Sequence, residues 1–506
     1  MYPFVNISLY IILSLSLSMP SVIRLRLPYW DKLYTNPAEG PLYSEYITIP
    51  RLRKLGVFLV PSFLTQNGGP PVDGEKVQAT KTRDTDFLDG LRGVAAFIVV
   101  IHHLIKRPYP AYQEGFASAD ENWHLLQLPF LRLMYTGGTM VAVFFVISGF
   151  ALSSKGIQLI RSRSPSLFRV LASATFRRSV RLWLPSISVS FFAFLLQRMG
   201  ILVDHGLHRA DTTLSTEIQS YIGYLKDLID MYTWNKAQGW YNTHLWTIPI
   251  EFRCSMIIFL CLLGLSRTRT IVRVGVELLI MAHASWNDRW DVISFMGGLI
   301  IAEQHHYLKA RAASASISLL DTGHNGHSEH PIQSRSKRIW YFCLLALGLY
   351  IGSFPHHKGC ETPGFQWVCK VDRHQPVNEK WRYTSAYGAF LSVISISNLP
   401  SVQRIFTTPI VSYLGKISYA FYLTHGLVLR VLVTPLQSKM IAAMANKPEI
   451  WYHGAVVLSG VVLLSVGIPI ADLVWRALDM PSVELAKWLE TKCAYEEKPI
   501  SEKGFD

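Results

Sequence analysis

The stretch FLDGLRGVAAFIVVIHHLI, residues 87–105, decides how this chain is read. It is almost wholly apolar and close to the ~20 residues a helix needs to cross a bilayer. Yet it carries Arg92 and His103, eleven positions apart. At ~100° per residue, eleven steps fall within ~20° of whole turns, so a helix points both side chains the same way, ~16 Å apart along its axis. Ionisable groups on one face of a membrane helix are costly, and as a rule they line a cavity or bind something. The plain alternative is that Arg92 snorkels to a headgroup while His103 sits neutral near the far interface.

The rest of the composition agrees with a membrane setting. Half of the 506 residues are hydrophobic and 17% are charged, and the mean hydropathy is positive. This is the profile of an all-α, polytopic, multi-pass integral membrane protein. Ten apolar segments are expected to span: 87–105, 139–153, 184–198, 244–265, 272–284, 292–303, 340–354, 383–396, 417–433 and 454–475. The pair 272–284 and 292–303 is the weakest, and re-entry or merging at residues 286–291 is the other way to read it.

The net charge of +14 does not point to nucleic acid. The basic residues cluster between spans rather than on one soluble face. Lys155, Arg161, Arg163, Arg169, Arg177, Arg178 and Arg181 fall in one connection, and Arg267, Arg269 and Arg273 in another. Lys309, Arg311, Arg335, Lys337 and Arg338 fall in a third. The positive-inside rule assigns these to the cytosol. The connections 106–138, 199–243, 286–291, 355–382 and 434–453 are then lumenal, and ten spans leave both termini cytosolic.

Residues 1–84 read as an N-terminal arm, 85–478 as the membrane domain and 479–506 as a polar C-terminal tail. Within the arm, residues 4–19 are apolar without a basic start, which leaves signal, anchor and extra helix open. Residues 52–64 suit an interfacial helix or a lid over the bundle, and 65–81 suit a linker. His324, His327 and His330 lie in a polar connection and read as solvated. Of six cysteines, Cys254, Cys261 and Cys343 fall in spans. Cys493 faces a reducing compartment, and Cys360 and Cys369 share a lumenal loop where a disulfide is allowed. No cysteine pair has metal-ligand spacing, and no metal is expected.

Five short motifs stand in order along the chain. They are Phe87-Leu-Asp-Gly-Leu-Arg-Gly93 with His102-His103, Phe144-Phe-Val-Ile-Ser-Gly-Phe150, and Arg177-Arg-Ser-Val-Arg-Leu-Trp-Leu-Pro185. Leu245-Trp-Thr-Ile-Pro-Ile-Glu-Phe252 and Gly415-Lys-Ile-Ser-Tyr-Ala-Phe-Tyr-Leu-Thr-His425 follow. Together they resemble the acyltransferase 3 family of integral-membrane O-acyltransferases over about residues 85–475. The resemblance implies a ten-helix domain that takes an acyl group, commonly acetyl from acetyl-CoA, to a hydroxyl. The family's Arg-x10-His falls on Arg92 and His103, and its Arg-x-x-Arg on Arg178 and Arg181. Its Trp-Ser-Leu-x-x-Glu falls on Trp246 to Glu251, where this chain has Thr247 and Ile248. That departure weakens any role for a hydroxyl-leucine pair and leaves the glutamate in place.

The residues support the same chemistry. Acyl transfer to an alcohol needs a base near the acceptor hydroxyl and charge stabilisation at the carbonyl. His103 is the candidate general base; His102, ~100° away, faces elsewhere. Arg178 and Arg181, three apart, suit CoA phosphates, with plain flanking charge as the alternative. Arg92 either joins them or pairs with Asp86 or Asp89. Glu251 is a supporting carboxylate that orients His103, holds the acceptor or pairs with Arg253. His425 and Trp246 are candidate substrate-binding residues, and a satisfied core histidine is the bland reading of the first. Ser148 and Gly149 read as close-packing positions rather than a nucleophile.

The expected partners are membrane lipid, acyl-CoA as co-substrate with no bound cofactor, and a hydroxyl on a sugar, lipid or small natural product. The rival functions are a transporter with Arg92, His103 and Glu251 as a relay, and a non-catalytic lipid-binding protein.

Overall fold

The computed structural model describes residues 61–62, 83–120, 122–202, 213–233, 241–321, 335–371, 379–444 and 446–494. Among them there is no strand. In chain order the helices are α1 Asp86–Ile105, α2 Gly137–Arg161, α3 Leu167–Arg198, α4 Leu214–Ile229 and α5 Thr247–Gly264. Next come α6 Thr270–Trp286, α7 Trp290–Asp321, α8 Arg335–Gly352, α9 Gln366–Val371 and α10 Lys380–Ser397. The last are α11 Pro400–Phe406, α12 Pro409–Val428, α13 Thr434–Ala443, α14 Glu449–Val474 and α15 Met480–Cys493.

Each of the ten segments expected to span lies on a helix. By length and composition, six helical stretches among the described residues suffice to cross a membrane: Asp86–Ile105, Gly137–Arg161, Leu167–Arg198, Thr243–Gly264, Pro409–Ala443 and Glu449–Cys493. α6, α7, α8 and α10 fall outside that set. α6 has 17 residues, about 26 Å at 1.5 Å per residue, which is short of a ~30 Å hydrocarbon core. The turn after Trp286 keeps α6 and α7 as separate helices.

Side chains are sorted as in a membrane bundle rather than a soluble one. On α14, Ser459, Gly460 and Asp472 are buried while Val457, Leu458 and Val461 face outward. Small and polar residues hold helices together where lipid gives no hydrophobic drive between them. One apolar cluster joins α2, α3, α5, α7 and α10, and another joins α1, α12 and α14. α2 and α7 meet at Gly149, where an added Cβ would lie 2.1 Å from the Phe295 carbonyl oxygen. Only a residue without Cβ permits that approach.

The structure moves one boundary that matters. The third span was expected to begin at residue 184, after a basic connection. Instead α3 starts at Leu167, so Arg177, Arg178 and Arg181 are helical. Arg178 and Arg181 therefore share a face by construction. Pro185 within α3 removes the backbone bond that would reach the carbonyl of residue 181.

The loops segregate by end. The connections 106–138 and 355–382, both expected to be lumenal, pack on each other: Lys358 pairs with Glu114 at 3.1 Å, and the His357 amide donates to the Gln113 carbonyl at 3.0 Å. Cys360 and Cys369 are bridged there. At the opposite end Lys309 pairs with Asp84 at 2.9 Å. The segment expected as a polar C-terminal tail includes α15, which packs on α3 through Arg177 and Glu490 at 3.3 Å.

Residues 4–19 and 65–81, together with His324, His327 and His330, lie outside the described residues. Of residues 52–64, Pro61 and Ser62 are described. Ser62 donates through its amide (3.1 Å) and hydroxyl (2.6 Å) to buried Asp472, which fixes that point of the arm on the bundle.

Candidate active site

Two features meet in the middle of the bundle. The first is a cavity of about 190 Å³ between α1, α2, α3, α5 and α12. Its polar lining is Arg92, Ser148, Arg178, Arg181, Thr247 and Glu251, and Tyr419 and Tyr422 close one side. All three arginines singled out from the sequence thus converge, although α1 and α3 are far apart in the chain.

The arginines are not equivalent. Arg178 donates to Glu251 at 2.6 Å and to the Ser255 hydroxyl at 3.0 Å. Arg92 donates to the Ser418 hydroxyl at 2.9 Å and the Gly415 carbonyl at 3.0 Å, and lies 3.4 Å from Asp89. Asp86 instead pairs with Arg83. Arg181 makes no ion pair within 4.0 Å among the described residues and is exposed at the cavity mouth. Guanidinium groups at different depths suit a ligand carrying several phosphates.

Glu251 does not reach His103. It takes the Arg178 guanidinium and the Ser148 hydroxyl, the latter at 3.2 Å. Nor does it pair with Arg253, which binds Asp291 at 3.4 Å and the Thr233 carbonyl at 2.9 Å. Ser148 is therefore more than a packing residue, whereas Gly149 is the close-approach point.

The second feature is a cluster of three imidazoles. Ring centroids lie 4.2 Å apart for His103 and His244, 4.4 Å for His244 and His425, and 5.4 Å for His103 and His425. One ring nitrogen from each lies within 4.8 Å of the others. His103 and Arg92 do share a face of α1, since both meet α12, at His425 and at Gly415 and Ser418 respectively. His102 turns away and donates through Nδ1 to the Tyr135 carbonyl at 2.9 Å. His425 donates through Nδ1 to the Tyr422 carbonyl at 2.7 Å, which leaves Nε2 buried and unmatched.

Sequence reasoning missed His244. It opens the fourth span two residues before Trp246, and an imidazole at the head of an apolar segment was the available signal. It fits because α12 offers Gly426, where a Cβ would lie 2.2 Å from His244 Nδ1. Trp246 sits instead near Trp290, with centroids 6.3 Å apart, and does not line the cavity. His425 lies in the imidazole cluster rather than on the cavity wall.

Tyr422 joins the two features. Its hydroxyl donates to the His244 carbonyl at 2.5 Å and therefore accepts from Thr247 at 2.8 Å. Its ring lies 5.8 Å from His425. On the far side of His102 the loops before α2 and after α8 carry Arg132, which burial pushes down to about 10, and His356, which burial and then His357 push down to about 3. His356 is thus neutral at physiological pH.

Comparison with known proteins agrees with this architecture. A family model described as an acyltransferase domain matches residues 85–475. The chain is similar to O-acetyltransferase PaAT-1 of Phomopsis amygdali, 28% identical over 432 residues, covering 80% of this chain and 84% of that protein. It is also similar to acyltransferase R4 of a Phoma species, 26% identical over 398 residues, and to acyltransferase clz18 of Cochliobolus lunatus, 25% over 391 residues. Each match covers 67% of this chain and 82% of the relative. No solved structure matches. With the matched region running from α1 through α14 and including both halves of the site, the chain belongs to the acyltransferase 3 family.

Proposed function

We propose that this protein transfers an acyl group, acetyl in the simplest case, from acyl-CoA to a hydroxyl of a sugar, lipid or small natural product. The observation that carries the reading is the junction of an arginine-lined cavity with three imidazoles at Tyr422. Arg181 at the mouth, with Arg92 and the more buried Arg178 behind it, binds the donor's phosphates. Its pantetheine arm runs along the apolar wall of Phe144 and Phe145 and delivers the thioester toward Tyr422.

His103 takes the proton from the acceptor hydroxyl as the oxygen attacks the thioester carbonyl. The C–O bond forms, the C–S bond breaks, and the thiolate leaves with the proton that His103 took up. Glu251 acts through Arg178, keeping that guanidinium oriented in the cavity. The activity named for the Phomopsis relative, an O-acetyltransferase, supports acetyl as the group moved.

The test is transfer of label from [14C]acetyl-CoA by purified protein in lipid nanodiscs to a panel of hydroxylated probes: simple alcohols, hexoses and polycyclic alcohols. Covalent, His103-dependent labelling of one class is expected. Acetyl-CoA binding with no covalent product from any class would instead favour a transporter or a lipid-binding protein.

A further inference from the structure

Two of the three imidazoles carry a buried ring nitrogen with no hydrogen-bond partner among the described residues. A carbonyl only accepts, so the contact with Tyr422 places the His425 proton on Nδ1. A neutral ring then has a lone pair at Nε2, and this atom is buried with no partner. His244 Nδ1 is likewise buried and unmatched. Unpaired buried polar atoms are expensive, and two of them beside a third imidazole call for a hydrogen-bonding group between the rings.

Size and charge decide what that group is. Three atoms no more than 4.8 Å apart have a common point about 2.8 Å or less from each, the length of an ordinary hydrogen bond to oxygen. Zinc needs nitrogens at ~2.1 Å, hence about 3.4 Å from one another in a tetrahedron, a narrower requirement than a spread of up to 4.8 Å. The charges acting on the cluster also oppose a cation. Lys106 acts on His103, and Arg430 and Lys106 act on His244, with no carboxylate among them. A neutral oxygen fits without movement. Water fits best, because its two O–H groups can donate to His425 and His103 while it accepts from His244.

Resting on the transferase reading above, we infer that His103, His244 and His425 form a cage for one hydroxyl oxygen, and that water occupies it when no acceptor is present. The protein then has a second activity, hydrolysis of acyl-CoA. Water loses a proton to His103 and its oxygen bonds to the thioester carbon. The C–S bond breaks, and the thiolate takes the proton from His103 to give free CoA and the carboxylic acid. His244 and His425 are positioning residues that hold the oxygen in line.

The experiment uses the full chain in nanodiscs with acetyl-CoA and no acceptor, following free thiol, and then repeats the assay in dilute methanol, a single-hydroxyl probe. His103→Gln protein, prepared in parallel, sets the baseline. The expected result is thiol release by the unaltered protein and its loss in His103→Gln. His244→Ala and His425→Ala should be slowed at least tenfold, with partial recovery in His244→Gln. Acetyl-CoA binding should be unchanged in all of them, which excludes misfolding. The ratio of methyl acetate to acetate should also shift in the His244 and His425 variants, a readout that does not depend on how much protein is folded.

Normal hydrolysis and an unchanged ratio in both the His244 and His425 variants would overturn the cage while leaving His103 as the base. Transfer to the hydroxyl panel without hydrolysis in water would overturn the second activity and leave the transferase standing. One zinc per chain, retained on purification and lost in His244→Ala, would make the cluster a metal site and also overturn the inference. Failure of the transferase reading is separate: neither product forms and acetyl-CoA does not bind.

Discussion

Arg178 donates through Nη2 to Oε1 of Glu251 at 2.6 Å, while Arg181, one turn further along the same face of α3, makes no ion pair among the described residues. One guanidinium is thus tied into the bundle and its neighbour faces the cavity mouth. The two should respond differently to removal. Arg181→Ala is expected to weaken acyl-CoA binding roughly ten- to hundredfold, about 1.5–3 kcal/mol for a charge-assisted contact, with thermal stability unchanged. Arg178→Ala is expected to weaken binding and also lower Tm, because it strands Glu251 in a partly buried site. Titration with acyl-CoA and thermal unfolding in nanodiscs check both. Unaltered affinity in the two variants would reduce them to topology signals.

His103→Gln is expected to lower acyl transfer by ~10²–10⁴, the usual contribution of a positioned general base, while the protein still reaches the membrane and binds acyl-CoA. His102→Ala should cost far less, since that ring is spent on the Tyr135 carbonyl. Initial rates with labelled acetyl-CoA decide this. A near-normal rate in His103→Gln would remove it as the base.

Gly149→Val is expected to destabilise the bundle by about 1–3 kcal/mol or more, the range for overpacking a filled interface. The added Cβ would lie 2.1 Å from a backbone oxygen of α7, which cannot rotate aside as a side chain would. A lower Tm with the oligomeric profile otherwise intact is the expected result. An unchanged Tm would mean that α2 and α7 do not pack here.

Ser164→Cys should resist an impermeant thiol reagent applied from outside intact cells. The residue lies between α2 and α3, among Arg161, Arg163 and Arg169. Ready labelling would reverse the orientation taken from the charge clusters.

Peptide mapping under non-reducing conditions should recover Cys360 and Cys369 linked. Cys360→Ser is expected to lower stability by about 2–3 kcal/mol, the loop-entropy value for so short a ring. Recovery of both as free thiols would argue against the bridge.

Much of this molecule is legible without coordinates. The helical character of all ten apolar segments follows from composition and length, because backbone groups in hydrocarbon must bond within their own segment. The common face of Arg92 and His103 follows from helical phase alone, and the structure turns both toward α12. Cys360 and Cys369 lie near each other in one loop where the sequence allowed a disulfide, and they are bridged.

Other features depended on contacts between segments distant in the chain. Glu251 pairs with neither His103 nor Arg253 but with Arg178, because α3 begins at Leu167 and carries that residue alongside α5. His244 gave no strong signal by itself. Its role arises because Gly426 lets α12 approach closely enough to bring His425 against it, and α1 then delivers His103. Helix existence and phase are local, set by a few consecutive residues and one period, and so the sequence by itself determined them. Which ionisable groups meet across the bundle is a matter of how helices pack, and packing is the sum of many weak contacts between residues hundreds of positions apart. Only the tertiary structure decided that.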